Sequence, residues 1–296
     1  MMKIREPAWR VFATEYNAST LELKGEGERA PSYVISPLGA MVNRIFIVGI
    51  LTDLQNIGTE HEPYWRATVS DGTDRFYIYA GKYAPDATAT LARIEPPAFV
   101  AVIGKSRTYS PEEGRIYVSI RPERILPVDE QVKDNWILET VRATLKRIEA
   151  VEEAREMASP SAEGLIRLGY PAPLAEGVMR ALPYYQDVDT NLFRGTVLEA
   201  LENILPGRAT YYPMPQDLPS GPDEIDDDGL DDEDREDLVL NLIERLDTNK
   251  KGAPLAQLTR EAAELGIGDD EVEEIINSLL DKGLIYEPTI GRMKRI

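Results

Sequence analysis

The chain has 296 residues, of which 43% are hydrophobic, with no Cys, a single His (His61) and a formal charge of −19. That length predicts two domains or a domain with appendages, and the missing Cys exclude disulfides, thiolate catalysis and Cys-based zinc sites, while one imidazole cannot build a His-rich metal centre. No run of eighteen apolar residues occurs, and the start "MMKIREPAWRVFATEYN" lacks the apolar middle of a signal peptide, so a cytoplasmic location with no membrane contact is expected.

Taken in chain order, "STLELKG" and "PSYVISP" can form a strand pair ahead of the first clear module. Residues 43–54 predict a strand, followed by a polar loop, a second strand at Tyr64 to Ser70, a turn at "SDGTD" and a third strand at Arg75 to Ala80. A short helix is expected at Pro85 to Ile94, then an apolar strand "PPAFVAVIGK", a loop "SRTYSPEEG" and a fifth strand "RIYVSIRPERI". Five strands with a helix between the third and fourth give the order of an OB-fold β-barrel, assigned to residues 1–130.

A long helix follows from Asp134 to Met157, within a segment 131–158, where Ile137, Val141, Leu145, Ile148 and Val151 recur at three- and four-residue spacing. Such a stripe needs a partner. Residues 159–205 read as a small helical region punctuated by Pro and Gly, and residues 206–234 combine prolines with an acidic cluster and read as a flexible linker. The last module, 235–296, shows three helical periodicities and a β-ribbon, which predicts a winged helix. The fold class is therefore α+β and multidomain.

Several motifs do not hold in context. "GEGERA" fits a dinucleotide pattern but runs into Pro31 rather than a helix, and "EIDDDG" lacks the acidic twelfth position of a calcium loop, because Arg235 stands there. Glu22, Glu26, Asp71 and Asp74 offer no paired acid–base geometry, and no catalytic motif supports a nuclease or hydrolase. No enzyme activity, cofactor or metal is expected.

The barrel sheet is different. Period-two alternation turns Phe76, Ile78 and Ala80 to the core and Tyr77, Tyr79 and Gly81 outward; the same split exposes Tyr64, Arg66 and Thr68, and Arg115, Tyr117, Ser119 and Arg121. Lys105, Arg107 and Tyr109 are assigned to the adjoining loop. The overall acidity does not forbid such a face: residues 1–130 hold fifteen bases and seventeen acids, leaving eighteen bases against thirty-five acids beyond them. Tyr interleaved with Arg and Lys suits single-stranded nucleic acid, with rings for bases and cations for phosphates. The other reading is that these rings pack beneath the N-terminal segment or the long helix.

Through "RIFIVGILTDLQNIG", "YWRATVSDGTDRFYIYAGKYAPDA", "PPAFVAVIGKSRTY" and the terminal "LVLNLIERLDTNKKGAPLAQLTREAAELGIGDDEVEEIINSLLDKGLIYEP", the chain resembles replication protein A, in particular the archaeal proteins associated with it that share its middle-subunit plan. The resemblance implies an OB-fold that binds single-stranded DNA, a following helix that joins a larger subunit through Ile137, Val141, Leu145 and Ile148, and a winged helix that recruits replication or repair proteins. It also implies that Tyr79 is a stacking residue on the third strand and that Tyr109 is a second one. A rival expectation is a scaffold subunit whose OB-fold binds protein only.

Overall fold

The computed structural model describes residues 6–25, 32–59, 62–112, 115–205, 232–248 and 250–296. They divide into two compact units, one spanning described residues 7–205 and the other described residues 232–296.

In the first unit, α1 (Ala13–Asn17) and an antiparallel sheet of β1 (Leu21–Lys24), β2 (Ser32–Ile35) and β3 (Met41–Val42) precede the barrel. The barrel strands are β4 (Arg44–Asn56), β5 (Trp65–Ser70), β6 (Arg75–Ala80), β7 (Ala98–Glu112) and β8 (Arg115–Pro127), with α2 (Pro85–Leu91) between β6 and β7. They close in the order β4-β5-β6-β8-β7, the order and helix position of an OB-fold. Alternation explains the interior: Ile45, Ile47, Ala67, Phe76, Ile78 and Ile120 are all fully buried.

One expected loop is sheet. Residues 106–112, read from "SRTYSPEEG" as a loop, continue β7 and pair with β8, with Tyr109 opposite Tyr117 and Glu112 opposite Arg115. Lys105, Arg107 and Tyr109 therefore belong to a strand. The Ser and Pro in that run suggested a break, yet a two-strand ribbon that leaves the barrel needs little apolar sequence to remain paired.

Helix α1 closes one end of the barrel. The Tyr16 ring lies 5.9 Å from Phe76, and its hydroxyl donates to the Ser119 carbonyl at 2.7 Å and sits 2.7 Å from the Ser106 hydroxyl. The buried Asp71 carboxylate accepts from the Ala13 amide at 2.8 Å, and from the amide and hydroxyl of Thr73 at 2.9 and 2.8 Å. Burial outweighs these donors and pushes Asp71 up to about 6. Because the folded-state value lies above that of the unfolded chain, this group favours folding below about pH 4 and the contribution is lost as pH rises through 6. The wild type is expected to gain stability between pH 7 and pH 4 relative to Asp71→Asn, measured as the difference in urea midpoints. Parallel pH dependence of the two proteins would contradict the assignment.

Helix α3 (Glu130–Glu156) starts at Asp129, whose side chain accepts from the Val132 amide. Its first half lies on the barrel: the Trp136 indole donates to the Phe46 carbonyl at 2.9 Å, and Ile137 and Val141 join the barrel core with Leu145 packed against it. Its second half packs against α4 (Ala162–Arg167), α5 (Ala172–Tyr184) and α6 (Thr190–Glu202), burying Ile148, Val151 and Ala154 among Leu165, Val178 and Phe193. The stripe expected to serve a partner subunit is thus covered by this chain. Ile137, Val141 and Ile148 are 1%, 6% and 0% exposed, so they are core residues and not a docking face. Residues 159–205 likewise share the first unit's second core, and do not stand apart.

Helix α5 approaches the turn before β3 at a glycine. A Cβ on Gly177 would sit 1.9 Å from the Gly39 carbonyl oxygen. Gly177→Ala should therefore force backbone apart and cost about 1–3 kcal/mol by overpacking, read from denaturant midpoints; an unchanged midpoint would show that α5 can shift freely.

The second unit contains α7 (Asp232–Leu246), β9 (Ala253–Pro254), α8 (Leu255–Glu264), α9 (Asp269–Asp281), β10 (Ile285–Thr289) and β11 (Arg292–Arg295), with sheet order β10-β11-β9. Leu238, Leu242, Leu258, Ala262, Val272, Ile275 and Leu279 are buried, as their periodicity predicts. The segment 206–231 lies outside the described residues, while Asp232–Asp234, read with the linker, begin α7. Among the described residues no helix is long and apolar enough to cross a membrane.

Candidate nucleic-acid interface

The outer face of β5, β6, β7 and β8 gathers the aromatic residues by register. Arg66 is opposite Tyr79 and Thr68 opposite Tyr77, while across the β7–β8 ribbon Tyr109 faces Tyr117, Arg107 faces Ser119 and Lys105 faces Arg121. Tyr64, just before β5, stacks on Tyr79 with ring centroids 6.1 Å apart at 30°. Tyr109 stacks on Tyr117 at 5.4 Å and 24°. A side-chain hydrogen bond from Tyr109 to Tyr79 joins the two pairs into one row.

Ionisation of four phenols on this face is suppressed. Burial pushes the Tyr64 hydroxyl up to about 12 and raises Tyr77, and it is the leading cause of the upward shifts of Tyr79 and Tyr109. These four phenols remain neutral through physiological pH, so they add no negative charge against a phosphodiester.

Accessibility within the row is uneven. Tyr64, Tyr77, Tyr109 and Tyr117 are half-buried, but Tyr79 is only 4% exposed, held between Tyr64 and Tyr109. The expected third-strand stacking residue is therefore the hidden centre of the cluster, and a base reaches it only if a neighbouring ring moves. The cations differ further from expectation. Lys105 is 1% exposed and Arg121 8%, so neither presents a charge to a phosphate, and Arg44, opposite Lys105, makes a bidentate pair with Glu123. Alternation assigns these residues to the outer face correctly, yet it says nothing of how closely neighbours cover that face. Of the expected cations with described side chains, Arg66 and Arg107 reach the surface; the side chain of Arg115 lies outside the described residues.

Arg107 donates to the Ser106 carbonyl at 3.2 Å. Arg66 donates from Nη2 to Gln55 Oε1 at 2.7 Å, across the β4–β5 register that sets Gln55 opposite Arg66. Its Nε and the hydroxyl oxygen of Tyr64 are buried with no hydrogen-bond partner among the described residues. Each such orphan costs about 1–3 kcal/mol. Tyr64 and Gln55 were not among the binding residues expected from sequence. Their part depends on the β4–β5–β6 register, for which the "DGT" turn is the one local signal, and which fixes the β5–β6 half alone. Among the described residues no group of acidic, His or Cys side chains could hold a metal ion.

No family model and no curated protein matches the chain. Among solved structures it is similar to a replication protein A heterotrimer bound to ssDNA, at 18% identity over 48% of this chain and 98% of that chain, with a TM-score of 0.35. It is also similar to the second single-stranded DNA binding protein from Mycobacterium smegmatis, at 16% identity over 29% of this chain and 86% of that one, TM-score 0.25. A third likeness is to asparaginyl-tRNA synthetase from Pyrococcus horikoshii, at 11% identity over 55% of this chain and 35% of that one, TM-score 0.27. At these scores the likenesses carry no weight for activity, which rests on the face itself.

Proposed function

We propose that the outer barrel face binds single-stranded DNA without catalysing a reaction, and that the protein works as an accessory subunit beside a larger replication protein A-type partner. The carrying observation is the stacked row Tyr64–Tyr79–Tyr109–Tyr117 flanked by Arg66 and Arg107. Flat rings take bases of any sequence, and two surface cations allow at most two phosphate contacts. The slope of log affinity against log salt should therefore be no steeper than about −1.4 for a single strand, a shallow dependence.

Fluorescence anisotropy of the full chain with labelled oligo-dT tests this. Tyr64→Ala with Tyr117→Ala should weaken binding by roughly 1–3 kcal/mol per ring lost. No binding of oligo-dT at low salt, or undiminished binding by the folded double variant, would sink the reading. The burial of Tyr79, Lys105 and Arg121 favours the second reading, a scaffold whose barrel contacts protein only; the same titration separates the two.

For the second unit we propose a winged helix that docks proteins. Its α9 carries Asp269, Asp270, Glu271, Glu273, Glu274 and Asp281, and the neighbouring Lys282 is paired with Glu236. Groove insertion of that helix would set like charges against phosphates, which argues against DNA as its ligand.

A further inference from the structure

We propose that Arg66, held by Gln55, reads the edge of one base in the bound strand, and that it selects an edge with two adjacent acceptors. The inference rests on the single-strand reading above and adds base selectivity to a face otherwise indifferent to sequence. Gln55, Arg66 and Tyr79 form one cross-strand row on β4, β5 and β6. Gln55 fixes the guanidinium by accepting from Nη2, and Nε is left without an acceptor among the described residues.

The adjacent ring pair supplies the opening. Tyr64 and Tyr79 are stacked with ring centroids 6.1 Å apart, and a base slotted between two rings needs their planes roughly 7 Å apart, two van der Waals contacts. Parting of the two rings admits the base, uncovers the hidden face of Tyr79, and brings polar base atoms to Arg66 Nε and the Tyr64 hydroxyl. One movement thus relieves both buried orphans.

Arginine offers donors only, so it pairs with acceptors side by side. Guanine presents O6 and N7 in that way, and cytosine presents O2 and N3. Thymine and adenine place an N–H donor beside each acceptor on their pairing edges, which opposes the fork. Guanine and cytosine share the required chemistry and are separated by the experiment.

Four oligo-dT strands, identical except for a central dT, dA, dG or dC, are titrated against the full chain at one salt concentration. The dG or dC strand should bind about five- to hundredfold tighter than the dT and dA strands. If guanine is the reader's target, 7-deaza-dG, which lacks N7, loses that gain. Arg66→Lys keeps the charge but not the fork, and should bring all four strands to within about twofold of one another, whatever their common affinity. Equal affinities for the wild type, or a preference that survives in Arg66→Lys, overturn base reading while leaving single-strand binding intact. If none of the four strands binds, the single-strand reading fails and this one falls with it.

Discussion

Replacing Arg147 by methionine is expected to lower the stability of the first unit by about 3–5 kcal/mol, the cost of stranding one half of a buried ion pair. The side chains of Arg147 and Glu15 are 2% and 1% exposed. Arg147 Nε donates to Glu15 Oε1 at 3.0 Å and Nη2 to Oε2 at 2.6 Å, a fork-to-fork geometry. The remaining capacity is filled: Ser36 donates to Glu15 Oε1 at 2.7 Å, and Arg147 donates to the Arg10 carbonyl at 3.2 Å and to the Thr144 hydroxyl at 2.9 Å. In Arg147→Met the carboxylate stays buried with the Ser36 hydroxyl as its remaining side-chain donor among the described residues. Tryptophan fluorescence reports the loss cleanly, because all three tryptophans, Trp9, Trp65 and Trp136, lie in the first unit. Glu15→Leu combined with Arg147→Met removes both charges and should recover most of what either single change loses. Single substitutions that each cost under about 1 kcal/mol would show that water reaches the pair.

That pair also marks where the sequence stopped being legible. Period-two alternation placed Arg75 to Ala80 to the residue, because Phe76, Ile78 and Ala80 choose the interior without competition. The helical stripe of α3 was equally plain. What pattern cannot supply is the identity of the surface that covers a face. Ile148 is apolar whether it meets a partner's helix or this chain's own Leu165 and Val178, and the covering helices come from residues 162–202, whose Pro and Gly hid their role. Arg147 sits on that same buried face, where a charged residue reads as solvent-facing until Glu15, 132 positions earlier, is brought beside it. The outer barrel face shows the same limit: Tyr79, Lys105 and Arg121 lie on the expected side of the sheet, but neighbouring side chains close over them.

Ile148→Asp is accordingly expected to unfold the helical layer and not merely to weaken a complex. Ile148 is fully buried among Leu38, Leu165, Val178 and Phe193. A carboxylate set among these apolar side chains must either ionise there or hold its proton without a partner. Either course, added to the lost methylene burial, exceeds about 4 kcal/mol, a large share of the whole stability of a domain. Leu138→Asp is the control, since Leu138 lies on the same helix and is 39% exposed. Its cost should stay within about 0.5 kcal/mol. If the stripe served a partner subunit, the isolated Ile148→Asp protein would keep its wild-type melting temperature and lose only the partner. With the stripe inside the chain's own core, the tryptophan-detected transition should vanish or fall far below that of Leu138→Asp, with no partner present.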